Sequence, residues 1–122
     1  MIERIPIEIV FREFKCNGEL VRIFSPRTIE SLIKIMPLTS NIFIQEGFVY
    51  FKVPLEGSFE KPRLNAQEGD IMYWPAGRAI CLFFANCKLS YQMNLIGKIL
   101  SGLENLRKLE RGGWIRVSIK DG

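Results

Sequence analysis

The chain has 122 residues, 48% of them hydrophobic and 25% charged, with a formal net charge of +4. That length holds one ordinary domain, residues 1–122, and that composition excludes a disordered chain. The sequence contains no histidine, which removes Ser–His and Cys–His nucleophile pairs, the usual proton shuttle near neutral pH and the commonest zinc ligand.

Ile5, Ile7, Ile9 and Phe11 alternate with Pro6, Glu8 and Val10, the period of a strand. Asn17-Gly18 is a hairpin-turn signal, and residues 20–24 read as the returning strand. Ser25-Pro26 announces a helix. Ser25 can accept hydrogen bonds from free backbone N–H groups, and Pro26 suits the first helical position. Ile29, Leu32, Ile33 and Met36 then share one helical face, and Pro37 ends it. Residues 41–45 and 48–53 read as strands around a Glu46-Gly47 turn. Residues 54–67 are polar and lack a periodic signal, so they read as a surface loop and a candidate lid. Residues 71–74 and 79–84 are strands apolar on both faces, which requires cover on both sides. Residues 93–100 form a further strand, and Gly97 within it signals a bulge or a close backbone approach. A short helix starting near Leu103 and ending at Gly112-Gly113 precedes a closing strand at 114–119. The sum is a mainly β fold, a closed antiparallel barrel of about eight strands with two helices.

No apolar run approaches the ~20 residues a membrane span needs, and the N-terminus lacks the pattern of a signal peptide. The expected location is therefore the cytoplasm, with no membrane partner. Cys16, Cys81 and Cys87 are an odd number without metal-type spacing, and read as small buried hydrophobes. The basic residues are spread along the chain, which argues against a nucleic-acid partner. Arg107, Lys108, Arg111, Arg116 and Lys120 mix with Glu104, Glu110 and Asp121 as a solvated face. No cofactor and no metal is expected.

The stretch Gly69-Asp70-Ile71-Met72-Tyr73-Trp74-Pro75, followed by Gly77 and the apolar run 79–84, resembles the central motif of a small cyclophilin-like family of uncharacterised bacterial and archaeal proteins. Asn94-Leu95-Ile96-Gly97-Lys98-Ile99, Ser25-Pro26 and Val53-Pro54-Leu55-Glu56 are similar to its other landmarks. The resemblance spans most of residues 3–100 and implies a cyclophilin-type barrel of eight strands and two helices. Ala76 stands where that family usually has a second proline, and Arg78 where a smaller polar residue is common. Ala85-Asn86 replaces a frequent Gly-Pro. Isomerase cyclophilins carry an arginine, a glutamine, aromatics and a histidine around a proline pocket; those segments are not visible here, and no catalytic residue transfers.

Four residues are binding candidates. Arg78 can present its planar fork to a carboxylate, phosphate or carbonyl, or can be a surface charge lying over Trp74. Tyr73 and Trp74 point to opposite faces of a regular strand, so only one faces the interior; either can stack on a ligand or fill a core. Asn94 can offer hydrogen bonds into a pocket. Asp70, beside Gly69, reads as a turn residue. The first functional reading is a non-enzymatic module for a small-molecule or peptide ligand. The alternatives are a peptidyl-prolyl isomerase-like enzyme lacking the usual histidine, and a structural subunit of a homo-oligomer.

Overall fold

The computed structural model describes residues 2–120; Asp121, counted above with the C-terminal charges, lies outside them. The elements are β1 (Arg4–Phe11), β2 (Lys15–Val21), α1 (Pro26–Ile35), β3 (Leu38–Gln45), β4 (Phe48–Lys52), β5 (Arg63–Ala66), β6 (Asp70–Trp74), β7 (Ala79–Phe83), β8 (Cys87–Ser101), α2 (Leu103–Arg107) and β9 (Trp114–Ile119). Eight of the strands follow one another as β2-β1-β9-β3-β4-β7-β6-β8, and β8 pairs back onto β2. Every pairing is antiparallel, so the ring is a closed mainly β barrel with two short helices. The ninth strand, β5, pairs with the first part of β8 and stands outside the ring.

The helices sit at opposite ends of the barrel. α1 follows the end of β2, whereas α2 follows Ser101, which pairs with Asn17 near the start of β2. Ile29 and Leu32 of α1 and Leu106 of α2 enter the same interior, which alternate residues such as Ile7, Ile9 and Phe11 fill from the strands.

The two-sided apolar strands are covered as their pattern requires. Ile71, Tyr73, Ile80 and Leu82 face the barrel interior. Met72, Cys81 and Phe83 face outward and form a second cluster with Ala66, Met93 and Leu95. Thus β5 and the first part of β8 make a flap over the outer wall. β8 is accordingly longer than residues 93–100.

Several local expectations are corrected. The first hairpin reverses at Arg12-Glu13, where the Phe11 N–H reaches Phe14 O at 2.8 Å. Asn17 and Gly18 lie inside β2, opposite Glu8 and Ile7. Gly18 serves a close approach instead of a turn: a side-chain carbon there would stand 2.9 Å from Lys98 O. Gly97 meets the expectation of a close approach, since its Cβ would fall 2.0 Å from Glu19 O. Ser25 does not cap α1; its hydroxyl donates to Leu95 O at 2.8 Å. The short helix α2 ends at Arg107, before Gly112-Gly113.

The segment 54–67 is mostly exposed, as a surface loop should be, but it is tied to the barrel. Glu60 supplies the missing cap, accepting the N–H groups of Arg27 and Thr28, both at 2.8 Å, and the Thr28 hydroxyl at 2.6 Å. β5 occupies its second half. Asp70 closes the following turn, accepting the Gln67 N–H at 2.8 Å and pairing with Lys98. Among the described residues, no helix is long and apolar enough to cross a membrane.

Candidate functional site: an aromatic groove on the outer wall

β4 alternates. Val49 and Phe51 are buried in the barrel, and Phe48, Tyr50 and Lys52 face outward. β6 ends on Trp74, which follows inward-facing Tyr73 and so also faces outward. The indole meets the Tyr50 ring edge-on at 6.4 Å and the Tyr91 ring at 5.5 Å, tilted by 30°. Tyr50 in turn stacks on Phe43 at 5.1 Å. Tyr50, Trp74 and Tyr91 border a groove of about 690 Å³ between the outer wall and the start of β8, with Phe48, Met93 and Cys87 also among its lining. That volume lies in the range of about 300–1,000 Å³ common for small-molecule sites.

The turn after β6 fixes the indole. Arg78 donates its N–H to Pro75 O at 3.2 Å and takes a left-handed φ of 49°. This brings Gly77 flat against the ring, where a Cβ would stand 2.2 Å from an indole carbon. Lys52 donates from Nζ to Gly77 O at 2.7 Å and places its ammonium 5.7 Å from the indole centre, a cation–π distance. The Trp74 Nε1–H is shielded from solvent and has no acceptor among the protein atoms. An unmet buried donor costs about 1–3 kcal/mol.

The four sequence candidates occupy different places. Tyr73 is buried inside the barrel; its hydroxyl donates to Leu55 O at 2.6 Å and accepts the Gly57 N–H at 3.1 Å. Burial pushes its phenol above 10, against the pull of the Gly57 N–H and Arg78, so it keeps its proton. Asn94 is also buried; it accepts the Glu60 N–H at 2.8 Å and donates to Ser58 O at 2.8 Å. Both residues fasten segment 54–67 to the wall. Arg78 is exposed and pairs with exposed Glu56. Gly77 lies against Trp74. Of the four, Trp74 alone lines the groove. Tyr50 and Lys52 escaped the sequence reading, although the alternation Phe48-Val49-Tyr50-Phe51-Lys52 places them on one face. Tyr91 carries no such signal.

Burial raises the Cys16 thiol to about 11, with help from Glu104, and the Cys81 thiol to about 12, against a weaker pull from Lys52. Both are buried hydrophobes, as their sequence surroundings suggest. Cys87 is half-buried in the groove wall, and burial, then Glu46, raises its thiol above 9.0. None is a thiolate at neutral pH. Among the described residues, no three Cys, Asp or Glu side chains gather as a metal site.

A closed eight-stranded antiparallel barrel plugged by two short helices, with a flap over one wall, defines a barrel of the cyclophilin type. The cyclophilin-like family profile matches residues 5–118, and the chain belongs to that family. No curated protein matches the sequence significantly. Among solved structures, the hypothetical protein AF2241 from Archaeoglobus fulgidus is 26% identical, with a TM-score of 0.81 over 96% of this chain and 95% of AF2241. McbB, solved in complex with tryptophan, is 14% identical, with a TM-score of 0.76 over 95% of this chain and 45% of McbB; that likeness is one of fold.

Proposed function

We propose that this protein is a non-enzymatic binding module that takes a small planar aromatic ligand in the outer groove, against Trp74, Tyr50 and Tyr91. The observation that carries this reading is the groove of about 690 Å³ walled by the rings of Phe48, Tyr50, Trp74 and Tyr91. A planar ring seated there gains aromatic contact with the indole and the tyrosine rings. McbB, a protein of the same fold, is solved with tryptophan, so tryptophan and indole are the first probes. In this reading Tyr73 and Asn94 hold segment 54–67 to the barrel and do not touch the ligand. Arg78 acts through the turn that sets Gly77 on the indole.

The test is a calorimetric titration with tryptophan, indole and phenylalanine. Trp74→Ala is expected to weaken the best probe at least about tenfold, as loss of an aromatic anchor does. Trp74→Phe keeps a ring with a smaller face, and a weaker loss of about fivefold is expected. The proposal fails if no probe binds at millimolar concentration, or if Trp74→Ala binds as tightly as the parent.

A further inference from the structure

At the α2 end of the barrel, away from Trp74, the β1–β2 turn and the connection from α2 to β9 enclose a second cavity of about 630 Å³. Its walls combine three features. The first is aromatic. Phe11 and Phe14 stack at 4.5 Å with their planes 17° apart, and Trp114 is 42% exposed. The second is cationic. Arg12, Lys108 and Arg111 all line the cavity, and among the described residues none has a carboxylate within ion-pair distance. Arg4, Arg78 and Arg107 are each paired with a glutamate, whereas exposed Arg27, Arg63 and Arg116 are not, so it is the gathering of three unpaired cations around one cavity that sets this place apart. The third is backbone. Among the described residues, the N–H groups of residues 110–113 donate to no backbone carbonyl, and no atom stands within 4 Å of where a side chain on Gly113 would begin.

Free N–H groups and unpaired cations around a concavity are the chemistry of anion recognition. An open indole face adds a surface for a flat ring. Glu13 and Glu110 line the same cavity, so the excess of positive charge is small and suits a single anionic group. We infer that this cavity is a second ligand site, taking a small molecule that joins a flat ring to one phosphate or carboxylate. The ring lies against Trp114, and the anion faces Arg12, Lys108, Arg111 and the 110–113 backbone. This inference is independent of the outer groove.

The experiment follows amide and indole resonances of the full chain. The probes are adenosine monophosphate and indole-3-acetate, with adenosine, indole and inorganic phosphate as single-feature controls. A ring joined to an anion is expected to shift Trp114 Nε1–H and the amides of residues 110–113, and to bind at least about tenfold more tightly than either feature alone. Its affinity should fall as salt rises. The gain of each joined probe over its own ring alone, adenosine or indole, compares phosphate with carboxylate. The Lys108→Ala/Arg111→Ala double variant, changed only at exposed positions, should melt as the parent does and lose at least about fivefold in affinity. The inference is overturned if neither joined probe shifts these signals at millimolar concentration. It is equally overturned if the shifts appear at Trp74 alone, or if the double variant binds unchanged.

Discussion

Glu60 caps a helix that begins 34 positions earlier than itself, since α1 starts at Pro26. Burial pushes its carboxyl up, but the hydrogen bonds from Thr28 and Arg27 and the charge of Arg27 outweigh that and hold it below 4.5. A carboxyl lowered on folding stabilises fully above its unfolded value, and loses that contribution as pH falls through the lowered folded value. Glu60→Ala is expected to cost about 1 kcal/mol at neutral pH, the usual worth of a cap. Glu60→Gln should flatten the acid side of the stability curve below about pH 4.5. Urea denaturation across pH checks both, and a parent-like acid limb in Glu60→Gln contradicts the assignment. Tyr73→Phe leaves Leu55 O without its donor and should cost about 1–3 kcal/mol. It should leave probe affinity at the groove close to that of the parent, because Tyr73 faces the interior.

At the scale of elements, barrel closure depends on β2 meeting β8 at Gly18 and Gly97. Gly97→Ala would set its new carbon against the Glu19 backbone, which cannot yield as a side-chain tip does. The expected loss is about 3 kcal/mol, the upper end for overpacking, measured by chemical denaturation; a loss below about 1 kcal/mol contradicts the closure geometry. These two glycines also mark where sequence legibility changes. Gly97 announced a close approach because it interrupts an apolar strand. Gly18 misled because Asn-Gly is a strong turn signal, and no local rule shows that a strand 80 residues later in the chain presses on it, as the pairing of Gly18 with Ile99 does. The strands themselves were legible from their alternation. The flap was not, because pairing between β5 and β8 is non-local and β5 has only four residues, three of them exposed. Its existence was implied only indirectly, by the two-sided apolarity of β6 and β7. The candidate site followed the same division. Trp74 stood out within its motif, but the rings that surround it come from β4 and β8, which only the fold brings together.

At the scale of the molecule, two properties follow from burial and composition together. Cys16 and Cys81 are enclosed and strongly protonated, so an aromatic disulfide reagent at about pH 8 should label one thiol quickly, Cys87. Ligand in the outer groove should slow that labelling, since Cys87 is part of its wall. Rapid labelling of all three thiols in the native protein contradicts the burial pattern. The cyclophilin-like fold does not by itself imply isomerase activity, and the sequence has no histidine to match the isomerase pocket. Exchange spectroscopy on a proline peptide should therefore show no acceleration of cis/trans exchange by this protein; clear acceleration favours the enzymatic alternative. The central claim is that Trp74 and its neighbouring rings bind a planar aromatic molecule. Its most direct test is the Trp74 Nε1–H resonance of a Trp114→Phe variant during titration with tryptophan and indole. The expected result is a saturable shift, upfield where a probe ring stacks over the indole. A resonance that stays fixed to millimolar probe contradicts the account.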